Sequence, residues 1–215
     1  MKKLLLITLV FPAILFASGN SIFSGLNLGL RTGALNFNTI ADSPEDDFIV
    51  PESNVTNTSG FIGATASYLK EKASYLYGLS LDLNLSNASF ASRMNNGSLD
   101  SVSNKINGFG SARGVVALKI NNDSIFNFSG GVGLVRSKGH ITETLTTTTV
   151  SLNKNITSLV FGSGISLNFY KKLTFNAGVD YFLGKNYSVT DQNNDKVNIS
   201  TKLLVPYLGL SCKLA

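Results

Sequence analysis

Apolar and polar residues alternate with a period of two through most of this chain. The clearest example is the alternation of Tyr77, Leu79, Leu81, Leu83 and Leu85 with Gly78, Ser80, Asp82, Asn84 and Ser86. Successive side chains of a strand point to opposite faces, so this pattern predicts strands with one apolar and one polar face. After residue 19, no apolar run approaches the roughly 20 residues that a membrane-spanning helix needs.

Seven further segments show the same alternation, and the chain is therefore predicted to contain eight strands. They lie near residues 25–31, 60–70, 109–120, 125–136, 159–168, 173–181 and 202–214. Short turns at 71–73, 121–123 and 170–172 alternate with long polar stretches near 33–59, 87–107, 137–155 and 184–200. Short turns at one end and long loops at the other are typical of an eight-stranded antiparallel up-and-down transmembrane β-barrel.

The composition favours lipid, rather than water, outside the apolar face. Charged residues make up 14% of the chain, against about a quarter in soluble domains. The polar face consists mainly of Gly, Ser, Asn and Thr, which suit the crowded interior of a small barrel better than a solvated surface. The residues expected to face lipid include Leu26, Leu28, Leu30, Leu79, Leu81, Leu83, Phe161 and Phe175. The alternative is a soluble barrel or sandwich with the apolar face inside, because the period alone does not identify the outer face.

The first nineteen residues have the features of a secretory signal peptide. Lys2 and Lys3 precede an apolar segment from Leu4 to Phe16, and small residues follow at 17–19. This segment is too short to be a good membrane span. We therefore expect residues 1–19 to be removed and residues 20–215 to form the barrel with four long extracellular loops.

Four charged residues have inward parity on four different strands: Arg31, Asp82, Arg113 and Asp180. Isolated ions in a narrow, poorly hydrated lumen are costly, so residues of opposite sign are expected to pair. The predicted lumenal ion network has two interpretations. It could form a structural plug, as the small lumen of eight strands favours, or it could line a gated ion path.

Candidate catalytic residues are few. His140 is the only histidine and lies close to Thr142 and Glu143, so these three offer an imidazole, a hydroxyl and a carboxylate. The segment reads as a loop, and threonine is a poor nucleophile unless a base activates it. The sequence contains no phosphate-binding, zinc or nucleophile-elbow motif. We therefore expect no catalytic residue, no bound metal and no cofactor.

The alternation, the signal peptide and the closing segment from Pro206 to Leu214 resemble the small OmpA/OmpX and opacity-protein-like outer-membrane barrels. This resemblance covers nearly all of the mature chain and implies an eight-stranded barrel inserted by the barrel-assembly machinery. In that family the last strand usually ends in an aromatic residue, whereas this chain ends in Leu214 and Ala215. Some outer-membrane barrels are lipid A deacylases, but those pair the histidine with serine on a lipid-facing strand.

These observations predict a non-catalytic barrel of the bacterial outer membrane with a structural or adhesin-like surface role. A narrow gated pore is the first alternative, and a lipid A-modifying enzyme is the second. The expected partners are outer-membrane lipid, lipopolysaccharide and a surface ligand contacted by the loops, and the barrel is expected to be a monomer. Without Lys2 and Lys3 the net charge falls from +5 to +3, which is too small to indicate a nucleic-acid partner.

Overall fold

The computed structural model describes residues 21–42, 55–93, 101–143, 148–184, 187–190 and 196–214. The expected signal peptide lies outside these residues. The described chain forms nine strands: β1 Gly25–Asp42, β2 Val55–Lys72, β3 Tyr75–Arg93, β4 Ser101–Asn121, β5 Ser124–Glu143, β6 Thr148–Tyr170, β7 Leu173–Gly184, β8 Tyr187–Thr190 and β9 Lys196–Lys213.

All neighbouring strands are antiparallel, and the sheet closes on itself. Consecutive strands pair from β1 to β7, β7 pairs with β9, and β9 pairs with β1. The short strand β8 pairs with β9 beyond the end of β7, at Tyr187 and Ile199, so it extends the same position of the wall. The predicted eight-stranded antiparallel barrel is therefore confirmed. Within the described ranges, no helix is long and apolar enough to span a membrane.

The strands reach further into the polar stretches than the alternation predicts. β3 continues to Arg93, and β5 and β6 remain paired as far as Glu143 and Thr148. These upper ends are rich in polar residues, which the sequence pattern assigns to loops, although their Thr, Val and Ile residues suit a strand. The polar connections are consequently much shorter than the sequence pattern indicates.

The two faces of the wall differ as the alternation predicts. On β3, Leu81 is 58% exposed and Asp82 is 3% exposed, because successive residues point outward and inward. Aromatic residues are exposed on the outer face beside the short turns, including Tyr77, Phe126 and Tyr170. The wall therefore presents an outer apolar surface, here called the apolar belt, whose members include Leu30, Leu83, Leu85, Leu134 and Leu159.

Two of the short turns contain a residue other than glycine with positive φ. Ala73, in the turn between β2 and β3, has φ of 54°, and Lys171, between β6 and β7, has φ of 42°. The commonest two-residue hairpin turns use this left-handed conformation because it matches the twist of the flanking strands. A side chain makes the conformation costly, so both turns carry local strain.

Candidate functional site in the barrel lumen

The four inward-facing charges form a closed ring of ion pairs, here called the ionic ring. Arg31 contacts Asp82 at 3.2 Å and Asp180 at 2.9 Å. Arg113 contacts Asp82 at 2.5 Å and also pairs with Asp180. Each guanidinium therefore bridges both carboxylates, and the ring carries no net charge. All four residues are buried.

Hydroxyl groups and aromatic rings complete the surroundings of the ionic ring. Ser111 donates a hydrogen bond to Asp82 at 2.9 Å, and Arg113 donates one to Ser129 at 3.1 Å. The guanidinium carbon of Arg31 lies 4.4 Å from the centre of the Tyr207 ring. Cation–π contact and charge-assisted hydrogen bonds both offset the cost of removing these ions from water.

Gly162 provides the space that the ionic ring occupies. A Cβ atom added at Gly162 would lie 2.4 Å from a carboxylate oxygen of Asp180 and 2.7 Å from a guanidinium nitrogen of Arg113. Such distances are too short for any contact, so a side chain here would displace the ion pair. The ring thus depends on a glycine in a neighbouring strand as well as on its four charged members.

A layer of apolar side chains fills the lumen between the ionic ring and the loop end of the barrel. This upper apolar cluster consists of Leu35, Phe37, Phe61, Ala88, Ile106, Phe109, Val135, Ile156, Val160, Phe182, Leu203 and Val205. The rings of Phe109 and Phe182 meet edge to face with centroids 5.6 Å apart. The buried aliphatic and aromatic side chains of this cluster pack against one another across the lumen, as in an ordinary protein interior.

A second apolar layer lies between the ionic ring and the short-turn end. This lower apolar cluster consists of Phe23, Leu69, Leu76, Ala117 and Ile125. Phe23 precedes β1, so the chain enters the barrel mouth before the first strand begins. The Ser21 N–H donates to Glu71 at 3.0 Å, and Lys213 donates to the Ser21 carbonyl at 3.0 Å. Lys119 forms a salt bridge with Glu71 at the same mouth.

A small polar cavity of about 100 Å³ remains between the ionic ring and the lower apolar cluster. Its lining includes Asn27, Thr65, Ser80, Asn127 and Ser166. Hydroxyl and amide groups around a space of this size suit a few bound water molecules. The ionic ring lies on one side of this space and the lower apolar cluster on the other, so polar and apolar layers alternate along the lumen.

Sequence reasoning missed several contributors to this interior. The alternation treats the inward face as small and polar, but the upper apolar cluster consists of large apolar residues. Tyr207 precedes the outward-facing Leu208 and therefore has inward parity. The sequence does not show at which depth in the lumen it lies, so the contact of its ring with Arg31 could not be predicted. Gly162 also had inward parity, and only the register shows that it faces Asp180.

The residues expected to face lipid lie on the outer surface. Leu28, Leu30, Leu79, Leu81, Leu83 and Phe161 are exposed, whereas Leu26 and Phe175 are partly covered by neighbouring side chains. Residues of opposite sign were expected to pair in the lumen, and Asp82 contacts both Arg31 and Arg113.

The structure changes the setting of the candidate catalytic segment. His140, Thr142 and Glu143 lie in the paired upper part of β5, not in a loop. The physical reason is the continuous pairing of β5 with β6, which takes up the backbone hydrogen-bonding groups of this polar segment. The structure describes the backbone of these three residues but not their side chains.

Comparisons with known proteins identify the fold but no relative by sequence. No family model matches the chain, and no curated protein matches it. Among solved structures, the outer-membrane protease OmpT from Escherichia coli has a TM-score of 0.52 and 11% identity. The match covers 88% of this chain and 96% of that chain.

Two further solved structures are similar over most of their length. Neisserial surface protein A has a TM-score of 0.43 and 10% identity, and the match covers 87% of this chain and 97% of that chain. The attachment invasion locus protein Ail of Yersinia pestis, solved with the heparin analogue sucrose octasulfate, has a TM-score of 0.39 and 12% identity. That match covers 85% of this chain and 98% of Ail.

The closed sheet and the match to OmpT show that this chain has the fold of an outer-membrane β-barrel protein. This confirms the fold that the resemblance predicted. The fold does not determine the activity, because the same class includes a protease.

Proposed function

We propose that this protein is an integral outer-membrane barrel that projects rigid hairpins for surface contact, without catalysis and without ion conduction. The observation that carries the proposal is the continued pairing of strands beyond the apolar belt. On β6, Leu159 is the uppermost exposed apolar residue of the described side chains, followed above by Thr157 and Asn155. The strand nevertheless stays paired with β5 up to Thr148.

The length of this extension supports a role outside the membrane. A strand rises about 3.3 Å per residue, and barrel strands tilt by about 40°. Residues 148–157 of β6 therefore reach about 25 Å above the apolar belt. A paired hairpin holds this position more rigidly than a loop would, so less entropy is lost when its end contacts a ligand.

The layered interior supports the absence of conduction. An ion crossing the barrel would have to pass the upper apolar cluster, the ionic ring and the lower apolar cluster in turn. Both apolar clusters consist of buried side chains, and the ionic ring already uses its charges in internal pairs. The interior therefore favours a structural plug over a gated ion path.

The proposal places the barrel in the bacterial outer membrane after removal of residues 1–19. Lipid would cover the exposed leucines of the apolar belt, since a water-exposed apolar surface of this extent is unfavourable. Lipopolysaccharide would surround the finished barrel, and the barrel-assembly machinery would insert it. We expect a monomer because lipid takes up the outer face.

Shortening one hairpin tests the surface role. Lys138 and Asn153 are paired in register, so residues 139–152 can be replaced by a two-residue Asn-Gly turn that closes the same ladder. We expect the shortened protein to insert normally, with unchanged heat-dependent mobility on gels. Attachment of expressing cells to cultured epithelial cells and to one another should fall to the level of cells without the protein. Unchanged attachment after this shortening would contradict the surface role of this hairpin.

Two measurements test the alternatives. Purified wild-type protein in planar bilayers should show no stable conductance steps, and reproducible steps would favour the narrow pore. Mass spectra of lipid A from cells with and without the protein should be identical. Loss or transfer of an acyl chain that depends on this protein would favour a lipid A-modifying enzyme.

A further inference from the structure

The outer face of the barrel carries a groove at the upper edge of the apolar belt. It is a shallow, open depression of about 670 Å³, lined by residues from six adjacent strands. Leu30, Leu83, Leu85 and Leu134 are its large apolar lining residues. The small side chain of Ala64 also lines it.

Strand irregularities coincide with the groove. The register of β3 with β4 shifts between Leu85 and Ala88, and that of β4 with β5 shifts between Ile106 and Gly108. Leu85 and Gly108 both line the groove. Because β-bulges bend and twist the strands that carry them, these shifts give the wall a concave shape here.

Three exposed cations lie at the upper end of the groove. Arg136 lines it, Lys138 follows on the same face of β5, and Lys105 is directly opposite Lys138 on β4. We call these three residues the basic triad. Among the described side chains, no carboxylate lies within 4.0 Å of any of the three.

The pairing of Lys105 with Lys138 is unfavourable in the free protein. Like charges directly opposite each other on neighbouring strands repel and destabilise the sheet. Arg136, two residues from Lys138, adds a third positive charge to the same surface. A negatively charged group bound here would remove the repulsion, so the arrangement itself indicates an anionic ligand.

We propose that the groove and the basic triad bind lipid A, the phosphorylated glycolipid of the outer leaflet. Its phosphate would contact the basic triad, and an acyl chain would lie in the groove below. The ligand must be both apolar and anionic, because the cations begin where the apolar belt ends. Arginine binds phosphate through two parallel hydrogen bonds, and lysine adds point charge. The site rests on the proposed membrane location of the barrel.

Binding of defined lipids to the purified full chain in detergent tests this site. Native mass spectrometry would compare bis-phosphorylated lipid A, dephosphorylated lipid A and phosphatidylglycerol. We expect the wild type to prefer bis-phosphorylated lipid A. Each cation near an anionic surface contributes about a fivefold gain in affinity, so the double variant K105Q/K138Q should bind about 25-fold more weakly. Ala64→Phe should also weaken binding, since it fills the groove without changing charge.

The matched control removes the same charge elsewhere. Lys171 and Lys172 are exposed in the turn between β6 and β7, at the opposite end of the barrel. The variant K171Q/K172Q should bind lipid A as the wild type does. Lys138→Gln should raise the unfolding temperature in detergent free of lipid A, because it removes the repulsion from Lys105, and lipid A should then stabilise it less than it stabilises the wild type.

Three results would overturn the proposal. The first two are that the wild type binds dephosphorylated lipid A, or phosphatidylglycerol, as tightly as it binds bis-phosphorylated lipid A. The third is that K105Q/K138Q and K171Q/K172Q weaken the binding of lipid A equally. A failure of the proposed surface role can be distinguished from a failure of the lipid A site. The barrel with residues 139–152 replaced retains Lys138 and the groove, so it should bind lipid A even if attachment of cells is unchanged.

Discussion

Asp82 and Asp180 lie on opposite sides of the barrel, and the same two guanidinium groups bridge them. In strand order, β3 and β7 are separated by half of the wall, so this bridge spans the whole lumen. The ionic ring therefore ties distant strands together, which the hydrogen bonds between neighbouring strands cannot do.

Neutralising one carboxylate should destabilise the barrel. Asp82→Asn leaves one uncompensated positive charge in the lumen, and breaking a buried pair costs about 3–5 kcal/mol. Because Asp82 contacts both arginines, adding either Arg31→Gln or Arg113→Gln should recover part of the loss. Urea unfolding in lipid, analysed as two double-mutant cycles, measures both couplings. Additive effects in either cycle would show that the corresponding pair contributes no coupling.

Gly162→Ala should be strongly unfavourable, because the new methyl group would overlap Asp180 and Arg113. Inserting one carbon into a packed interior costs about 1–3 kcal/mol. Gly114→Ala is the control, since the nearest atom to an added Cβ there is 3.8 Å away. The unfolding free energies of the two variants give the comparison, and equal tolerance would mean that the ring does not need this space.

Leu81→Arg should cost about 2–4 kcal/mol if the apolar belt contacts lipid near the middle of the membrane. Asn122→Arg, in the exposed turn between β4 and β5, should be nearly neutral. Unfolding in lipid vesicles measures both effects. Similar tolerance of arginine at the two positions would be evidence against lipid on this face.

Ala73→Gly should stabilise the turn between β2 and β3. The left-handed conformation costs a residue with a side chain about 1–2 kcal/mol, and glycine removes most of this cost at a smaller loss of chain entropy. We expect a net gain of about 0.5–1 kcal/mol. Ser74→Gly, next to it and without positive φ, should destabilise. An equal response at both positions would show that backbone strain is not the cause.

The alternation could predict the strands, the facing and the members of the ionic ring, because each depends only on parity along the chain. It could not assign the pairs within the ring. Pairing depends on depth in the barrel, which is set by the register between strands, and no pattern within one strand records that register. Parity therefore could not show that Asp82 contacts both arginines.

The upper apolar cluster was beyond the same reasoning. Val160 lies between Leu159 and Phe161, and all three are apolar, so the period of two disappears where both faces are apolar. Above the belt, the paired strands are rich in polar residues, so their sequences resemble those of loops. Alternation identifies a strand only where its two environments differ.

The neutrality of the ionic ring has an electrical consequence. Two positive and two negative charges sum to zero, so a membrane potential does no net work when the ring shifts as a unit. Voltage sensors depend on several charges of one sign that cross the field together. A pore opened by mutating both apolar layers, with the ring left intact, would therefore conduct without steep voltage dependence.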